Sequence, residues 1–213
     1  MGWTEERWKK DIPAVQELYK ENPLNIYSKH YCCKRIKMRD WEMRSGKILS
    51  DMLNLESIID FGCGLGSYIE GALEAKTKKV LGIDIGADIA RECIPKRVRG
   101  FVKKGHIGRK LDYGKWDCAL SIEAAEHLLP EEEDIFVANM INASSRLIVL
   151  TAAYSFSYMH LNAGKTREYW AKKFIDLGCK ELIEEEKELR VALIGHAKNH
   201  IIKKLTILST EEI

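Results

Sequence analysis

The segment Ile58-Ile59-Asp60-Phe61-Gly62-Cys63-Gly64-Leu65-Gly66-Ser67 constrains this chain more than any other. Ser57 to Phe61 is short, apolar and bounded by glycine, which reads as a strand buried in a parallel sheet. Gly62, Gly64 and Gly66 remove side chains where the backbone must turn sharply and let a ligand come close. Ser67 with Glu70 fits a capping box, so the spacing predicts a helix from there, its free N–H groups facing the turn. A second apolar run, Val80-Leu81-Gly82-Ile83, closes on Asp84. That acid lies about twenty residues past the glycines, the offset at which a carboxylate meets ribose hydroxyls in nucleoside-binding folds.

Two nucleoside ligands compete for this pattern. A dinucleotide turn needs Gly or Ala where Ser67 stands, and the third glycine comes one residue early. Asp60, just before the turn, is a poor neighbour for a pyrophosphate and a good one for a cationic methionine moiety. These departures favour S-adenosylmethionine (SAM), which becomes S-adenosylhomocysteine on giving up its methyl group.

Asp60-Phe61-Gly62-Cys63-Gly64-Leu65-Gly66 resembles the first motif of the class I SAM-dependent methyltransferases, and Leu81-Gly82-Ile83-Asp84 the second. Trp116 to Leu128 is similar to their fourth strand and its following turn, and Leu147 to Thr151 to the fifth. The resemblance runs from about residue 45 to about residue 205. It implies an α/β fold: a Rossmann-like, doubly wound, mostly parallel seven-stranded sheet with helices on both faces and an antiparallel last strand. It also implies that Asp60, Gly62, Cys63, Gly64 and Gly66 hold the methionine end of SAM. Asp84 takes the ribose, Ile85 beside it is a further cofactor contact, and His106, Ile107, Ser121, Ile122 and Glu123 flank the adenine. One position departs from the family: His106 stands where relatives often carry an acid for the adenine amine. A neutral imidazole still hydrogen-bonds adenine through either nitrogen.

Apolar positions Trp8, Ile12, Val15 and Leu18 predict a helix over 4–19, ended by Glu21-Asn22-Pro23. Residues 27–53 read as further helix, so residues 1–54 form a helical cap and 55–213 the SAM-binding domain. Strands are expected near 57–61, 80–84, 100–103, 116–121 and 146–151, with a late one over 201–208. Helices near 67–75, 87–93, 131–143 and 165–177 alternate with them.

The chain of 213 residues carries a net charge of only +2, which argues against a global nucleic-acid footprint. No run of eighteen apolar residues is present, so no membrane partner is expected, and Met1 to Lys10 is too polar for a signal peptide. The six cysteines (Cys32, Cys33, Cys63, Cys93, Cys118 and Cys179) contain no C-x-x-C pair. Neither a metal site nor a disulfide framework is expected, and six free thiols fit a cytoplasmic location.

Methyl transfer from a sulfonium is an in-line displacement with an activated leaving group, so the protein chiefly aligns the partners. A base helps when the acceptor is a hydroxyl. Two catalytic candidates are named. His127 follows the fourth strand beside Glu126, and His160 lies in the long aromatic loop after the fifth. Tyr154, Asn162 and Tyr31 are candidate substrate contacts, and Tyr27, His30 and Tyr31 a candidate lid. Trp170 and Phe174, at i and i+4, read as core. Lys165 and Arg167 read as surface charges, and Glu184-Glu185-Glu186 as a solvated acidic face. Ser121-Ile122-Glu123-Ala124 stands where adenine-N6 and glutamine methyltransferases carry Asn-Pro-Pro-Tyr.

The expected activity is SAM-dependent methylation of oxygen or nitrogen on a small or sugar-like acceptor. Lys29, Lys34, Arg35, Lys37, Arg39 and Arg44, interleaved with aromatics, keep RNA open as an alternative substrate. A SAM-binding regulatory protein without turnover is a further alternative, and a dinucleotide-dependent oxidoreductase a weaker one.

Overall fold

The computed structural model describes residues 3–25 and 27–211, with Tyr31 and Cys32 described in their backbone only. The substrate contact expected at the Tyr31 side chain therefore lies outside the described residues.

Seven strands form one sheet: β1 (Ser57–Phe61), β2 (Lys79–Asp84), β3 (Val102–Lys104), β4 (Trp116–Ile122), β5 (Ser144–Thr151), β6 (Lys180–Glu181) and β7 (Thr206–Ser209). Their order is β3-β2-β1-β4-β5-β7-β6, and β7 runs antiparallel to both neighbours. The expected architecture is present. The order reverses between β1 and β4, which opens a crevice outside the strand C-termini, the place where such sheets take ligands.

Alternation along β1 explains the layering. Ile58 joins the core under α3 (Arg39–Met52) and α4 (Ser67–Glu74), while Ile59 and Phe61 face α5 (Glu133–Ala143) and α6 (Arg167–Ile175). Trp170 and Phe174 are in the second core, as their spacing predicts. Helices α3 and α4 touch backbone to backbone. A Cβ on Gly71 would sit 2.0 Å from the Met43 carbonyl, and one on Gly46 2.4 Å from that of Tyr68. The carboxyl end of the N-terminal segment is thus built into the main core.

α1 (Glu5–Glu21) starts at Thr4, whose hydroxyl accepts the Arg7 N–H. Its inner face is Trp8, Ile12, Val15 and Tyr19, while Leu18 is exposed. Those residues pack on Leu129 and Leu161, from the loops after β4 and β5. The helix expected over 27–53 is broken into α2 (Lys29–Lys34), a 3-10 turn and α3.

Several expectations are corrected. Residues 85–93 form successive turns instead of a helix. Arg99 captures the carbonyls of Glu92 and Ile94, and Cys93 is tied to Cys33. The strand expected over 201–208 is α8 (Asn199–Lys204) followed by β7; Ile201 and Ile202 are buried from a helix face. The capping box does not form. Gly66 caps α4 with a left-handed backbone, the Ser67 hydroxyl is buried without a partner, and Glu70 binds Arg39 and Arg97. α7 (Ile183–Ala192) buries Glu186, which pairs with Arg167 at 2.6 Å and Arg190 at 2.8 Å, so neither Glu186 nor Arg167 is a free surface charge.

The thiol pattern is also corrected. Cys33 and Cys93, 60 residues apart, form a disulfide that joins α2 to the turns after β2. Proximity created by the fold pairs them, which spacing alone does not reveal. The cysteines therefore give no argument for a reducing compartment. Among the described residues, no helix is long and apolar enough to cross a membrane.

Candidate active site

A cleft opens at the strand C-termini, lined along one wall by Gly62, Gly64, Asp84, Ile85, His106 and Ile107. Tyr19, Tyr27 and Arg35 close it from the N-terminal helices, and Glu123, Ala124, His127 and Leu128 from the β4 loop.

Gly62, Gly64 and Gly66 all have positive φ. A side chain on Gly62 would collide with Ala124 Cβ at 2.4 Å, whereas one on Gly64 would project toward the Arg35 guanidinium at 3.5 Å. The Gly64 turn is thus open to the cleft, with a cation above it. Asp84 pins the turn. One carboxylate oxygen accepts the Gly64 N–H at 2.8 Å and the other the Gly86 N–H at 2.7 Å.

Asp60 lies below the turn, 1% exposed, with Oδ2 buried and lacking any protein partner. Burial, with Asp84 and Glu42 nearby, pushes its carboxyl well above the usual range. A cationic ligand group would relieve that penalty. Arg35, held by Glu42 at 2.6 Å, supplies the opposite charge for a carboxylate. Together these donors and acceptors match the ammonium and carboxylate of a methionine moiety, so the residues present fit SAM.

At the other end, His106 Nδ1 accepts the Gly108 N–H at 3.0 Å, so its proton sits on Nε2, 2.9 Å from the Tyr19 hydroxyl. Burial and Arg109 push its pKa down to about 4. Both ring nitrogens are engaged within the protein, so neither is left to hydrogen-bond a ligand, contrary to the expectation for this ring.

The remaining cofactor candidates shape the site from outside the cleft wall. Cys63 Sγ packs on Gly82, and Gly66 packs on Val102. Ser121 is fully buried and donates to the Phe61 carbonyl at 2.8 Å, because β4 continues through it. Ile122 faces a second cavity. Asp60, Cys63, Gly66, Ser121 and Ile122, all expected to bind the cofactor, thus stand behind or beside the cleft wall and not on it.

The second cavity adjoins the first and shares Arg35, Glu123 and His127 with it. Glu126, Tyr154, His160, His200 and Lys204 complete its polar wall, with Met38, Trp41 and Ile201 among its apolar residues. Glu123 has a strained backbone at φ 53°. Its carboxylate is clamped by the buried Lys204 ammonium at 2.5 Å and the Thr151 hydroxyl at 2.9 Å.

His127 and His160 meet here, their ring centroids 5.2 Å apart. His127 Nδ1 donates to the Met159 carbonyl at 2.7 Å, and His160 Nδ1 to the Ser155 carbonyl at 2.6 Å. Each imidazole therefore keeps its Nε2 lone pair unused. Burial lowers both pKa values, and in His160 the neighbouring His127 adds to the effect. Glu126, 2% exposed, is pushed up to about 7 by burial and by Glu123.

Tyr154 is exposed at the cavity rim. Asn162 is not at the wall: it is buried, donates to Glu133, and its N–H bonds the Glu126 carbonyl at 3.1 Å. It fastens the loop, which corrects its reading as a substrate contact. Tyr27 reaches the cleft, whereas His30 is exposed. Sequence reasoning missed Arg35, Tyr19 and Lys204. Arg35 was visible only as one cation in a basic run, and nothing local marks Tyr19 or Lys204.

No family model matches the sequence, and no curated protein does. Solved structures match at low identity. An O-methyltransferase family protein from Burkholderia thailandensis aligns over 93% of this chain and 70% of its own, at TM-score 0.56 and 13% identity. An O-methyltransferase described as putative, from Nostoc punctiforme, aligns over 95% and 67%, at TM-score 0.58 and 12% identity. A carbon methyltransferase, CurJ, covers 72% and 48%, at TM-score 0.50 and 11% identity. The sheet order, the glycine turn and these neighbours agree: the chain has the fold of the class I SAM-dependent methyltransferases.

Proposed function

We propose that this chain is a SAM-dependent methyltransferase acting on an oxygen or nitrogen of a small acceptor. The observation that carries the reading is the glycine turn pinned by Asp84 at the wall of a cleft that adjoins a second polar cavity, with the buried Asp60 Oδ2 unpartnered beneath the turn. Asp60 and Arg35 hold the amino-acid end of SAM, Asp84 the ribose, and His106, Ile107, Tyr19 and Leu128 surround the adenine. SAM supplies a methyl carbon activated by its sulfonium.

The acceptor lies in the second cavity, approaching past the shared residues Glu123 and His127. Glu126, His127 and His160 face its nucleophile and lower the cost of removing its proton. The Lys204–Glu123 pair fixes the wall between the cavities. Tyr27 and α1 cover the cleft and limit water.

A small acceptor is favoured over RNA because the net charge is only +2 and half of the basic run is paired internally. Arg35 binds Glu42, Arg39 binds Glu70, and Lys29 binds Glu92. Isothermal titration with SAM, S-adenosylhomocysteine and NAD tests the reading. SAM and its product should bind and NAD should not, and Asp84→Ala should weaken SAM by about tenfold or more, since each charge-assisted hydrogen bond is worth about 1.5–3 kcal/mol. NAD binding, or no response to SAM, would sink it.

A further inference from the structure

The Glu126, His127 and His160 side chains form a grouping that the sequence spacing did not suggest. One carboxylate oxygen and one nitrogen from each imidazole all lie within 4.8 Å of one another. From this we propose that the second cavity holds a divalent first-row transition cation, ligated by Glu126, His127 and His160, which binds and activates the acceptor. The proposal deepens the methyltransferase reading and rests on it for the cation's role, though not for its binding.

Three independent observations support the site. First, both imidazoles have Nδ1–H committed to backbone carbonyls, of Met159 and Ser155. This is the outer-shell arrangement that fixes a metal-binding histidine, leaving Nε2 to the ion. Second, Glu126 is 2% exposed and its Oε2 has no protein partner. A buried carboxylate oxygen without a donor is costly, and a cation between it and the imidazoles removes that cost. Third, all three side chains line a cavity large enough for a further ligand on the ion.

The donor set narrows the ion. Two imidazole nitrogens and one carboxylate oxygen, with open positions, suit zinc, iron(II), cobalt(II) or manganese(II) better than calcium. Donors about 2.1 Å from a tetrahedral ion stand roughly 3.4 Å apart. His127 Nε2 and Glu126 Oε1 are 4.0 Å apart and all three donors lie within 4.8 Å, so closure on an ion draws them together by about 1.4 Å at most. Glu123 is close by but is already neutralised by Lys204.

Such an ion changes the acceptor class. It favours a hydroxyl, preferably one beside a second oxygen, so that both oxygens reach the open positions. Coordination lowers the hydroxyl pKa, and its proton leaves to water. The oxygen lone pair then forms the O–C bond to the methyl group as the C–S bond breaks, its electron pair returning to sulfur. The products are a methyl ether, S-adenosylhomocysteine and one proton.

The test is a titration of metal-stripped full-length protein with cobalt(II) alone, followed by its visible d–d bands and by calorimetry, with manganese(II) and zinc(II) as competitors. One cobalt per chain is expected. Glu126→Gln and His160→Gln should each weaken binding by at least about tenfold, while the surface variant His196→Gln leaves it unchanged. His160 is partly exposed, so His160→Gln serves if Glu126→Gln fails to fold. No stoichiometric cobalt binding by the wild type overturns the proposal, as does binding indifferent to both variants. SAM affinity is measured on the same samples without metal. If it is absent while cobalt binds, the cofactor reading has failed and the metal site stands; the reverse result removes the metal site alone.

Discussion

The Trp8 indole N–H donates to the His160 carbonyl at 2.8 Å, tying the first helix to the loop that supplies a candidate catalytic residue. Gln16 makes a matching bond to the Leu161 carbonyl, also at 2.8 Å. The same loop orients His127 through the Met159 carbonyl, so α1 acts on both imidazoles at one remove. Trp8→Phe keeps an aromatic ring and removes the donor. It should cost about 1 kcal/mol of stability and raise amide hydrogen exchange across 154–164, with SAM affinity unchanged. Unaltered exchange in that loop would show that α1 is only a cover.

Arg35 gives a prediction that separates the two ends of the cofactor. Its guanidinium stands over the Gly64 turn and is anchored by Glu42. Arg35→Met keeps much of the aliphatic stem and removes the charge. S-adenosylhomocysteine, which has a carboxylate, should bind about ten- to a hundredfold more weakly, as expected for a charged hydrogen bond worth about 1.5–3 kcal/mol. Methylthioadenosine, which lacks the amino-acid end, should bind as before. Equal losses for both ligands in calorimetry would place Arg35 elsewhere.

These two relationships show what was legible in the sequence. The β1–turn–α4 unit and Asp84 were visible because strand, glycine turn and acid are local signals on one stretch of chain. The sheet followed, since short apolar runs alternating with helical spacing leave few arrangements. Trp8 and Arg35 were not assigned because their roles depend on contacts more than a hundred residues away in one case and on the folding of α2 over the turn in the other. Ser121 misled because Ile122 and Glu123, which follow it, face a cavity while its own side chain bonds the neighbouring strand. Residues 87–93 misled for a related reason: Arg99 and the Cys33–Cys93 bridge take the backbone and side-chain groups that helix propensity alone cannot weigh.

His106 makes stability depend on pH. Its pKa is about 6.5 when unfolded and about 4 when folded, so the unfolded chain binds more protons between those values. Its contribution is fully present above pH 6.5 and is lost as pH falls toward 4. A shift from 6.5 to 4 corresponds to about 3 kcal/mol. Glu126, pushed up to about 7, acts in the opposite direction over part of the range. The informative quantity is therefore a difference. Urea denaturation of the wild type and His106→Gln, at pH 7 and pH 5, should show that the variant loses less stability on acidification. Parallel losses would mean that His106 does not titrate as its burial requires.

The Cys33–Cys93 bridge closes a loop of 60 residues that contains α3, β1, the glycine turn and β2. A cross-link of that span stabilises chiefly by restricting the unfolded chain, typically by about 2–4 kcal/mol. It also joins the helix that carries the cap to the turns beside Ala90, which line the cofactor cleft. The double variant Cys33→Ser/Cys93→Ser should melt several degrees lower than the oxidised wild type. Reductant should lower the wild-type melting temperature to nearly that of the variant and leave the variant unchanged. SAM affinity should fall as well, because the cap then pays part of its ordering cost on binding. A melting temperature insensitive to reductant, with free thiols at both positions confirmed by mass spectrometry, would refute the staple. Preserved SAM affinity in the double variant would confine the bridge to stability and leave cap closure to α1 and its bonds to the His160 loop.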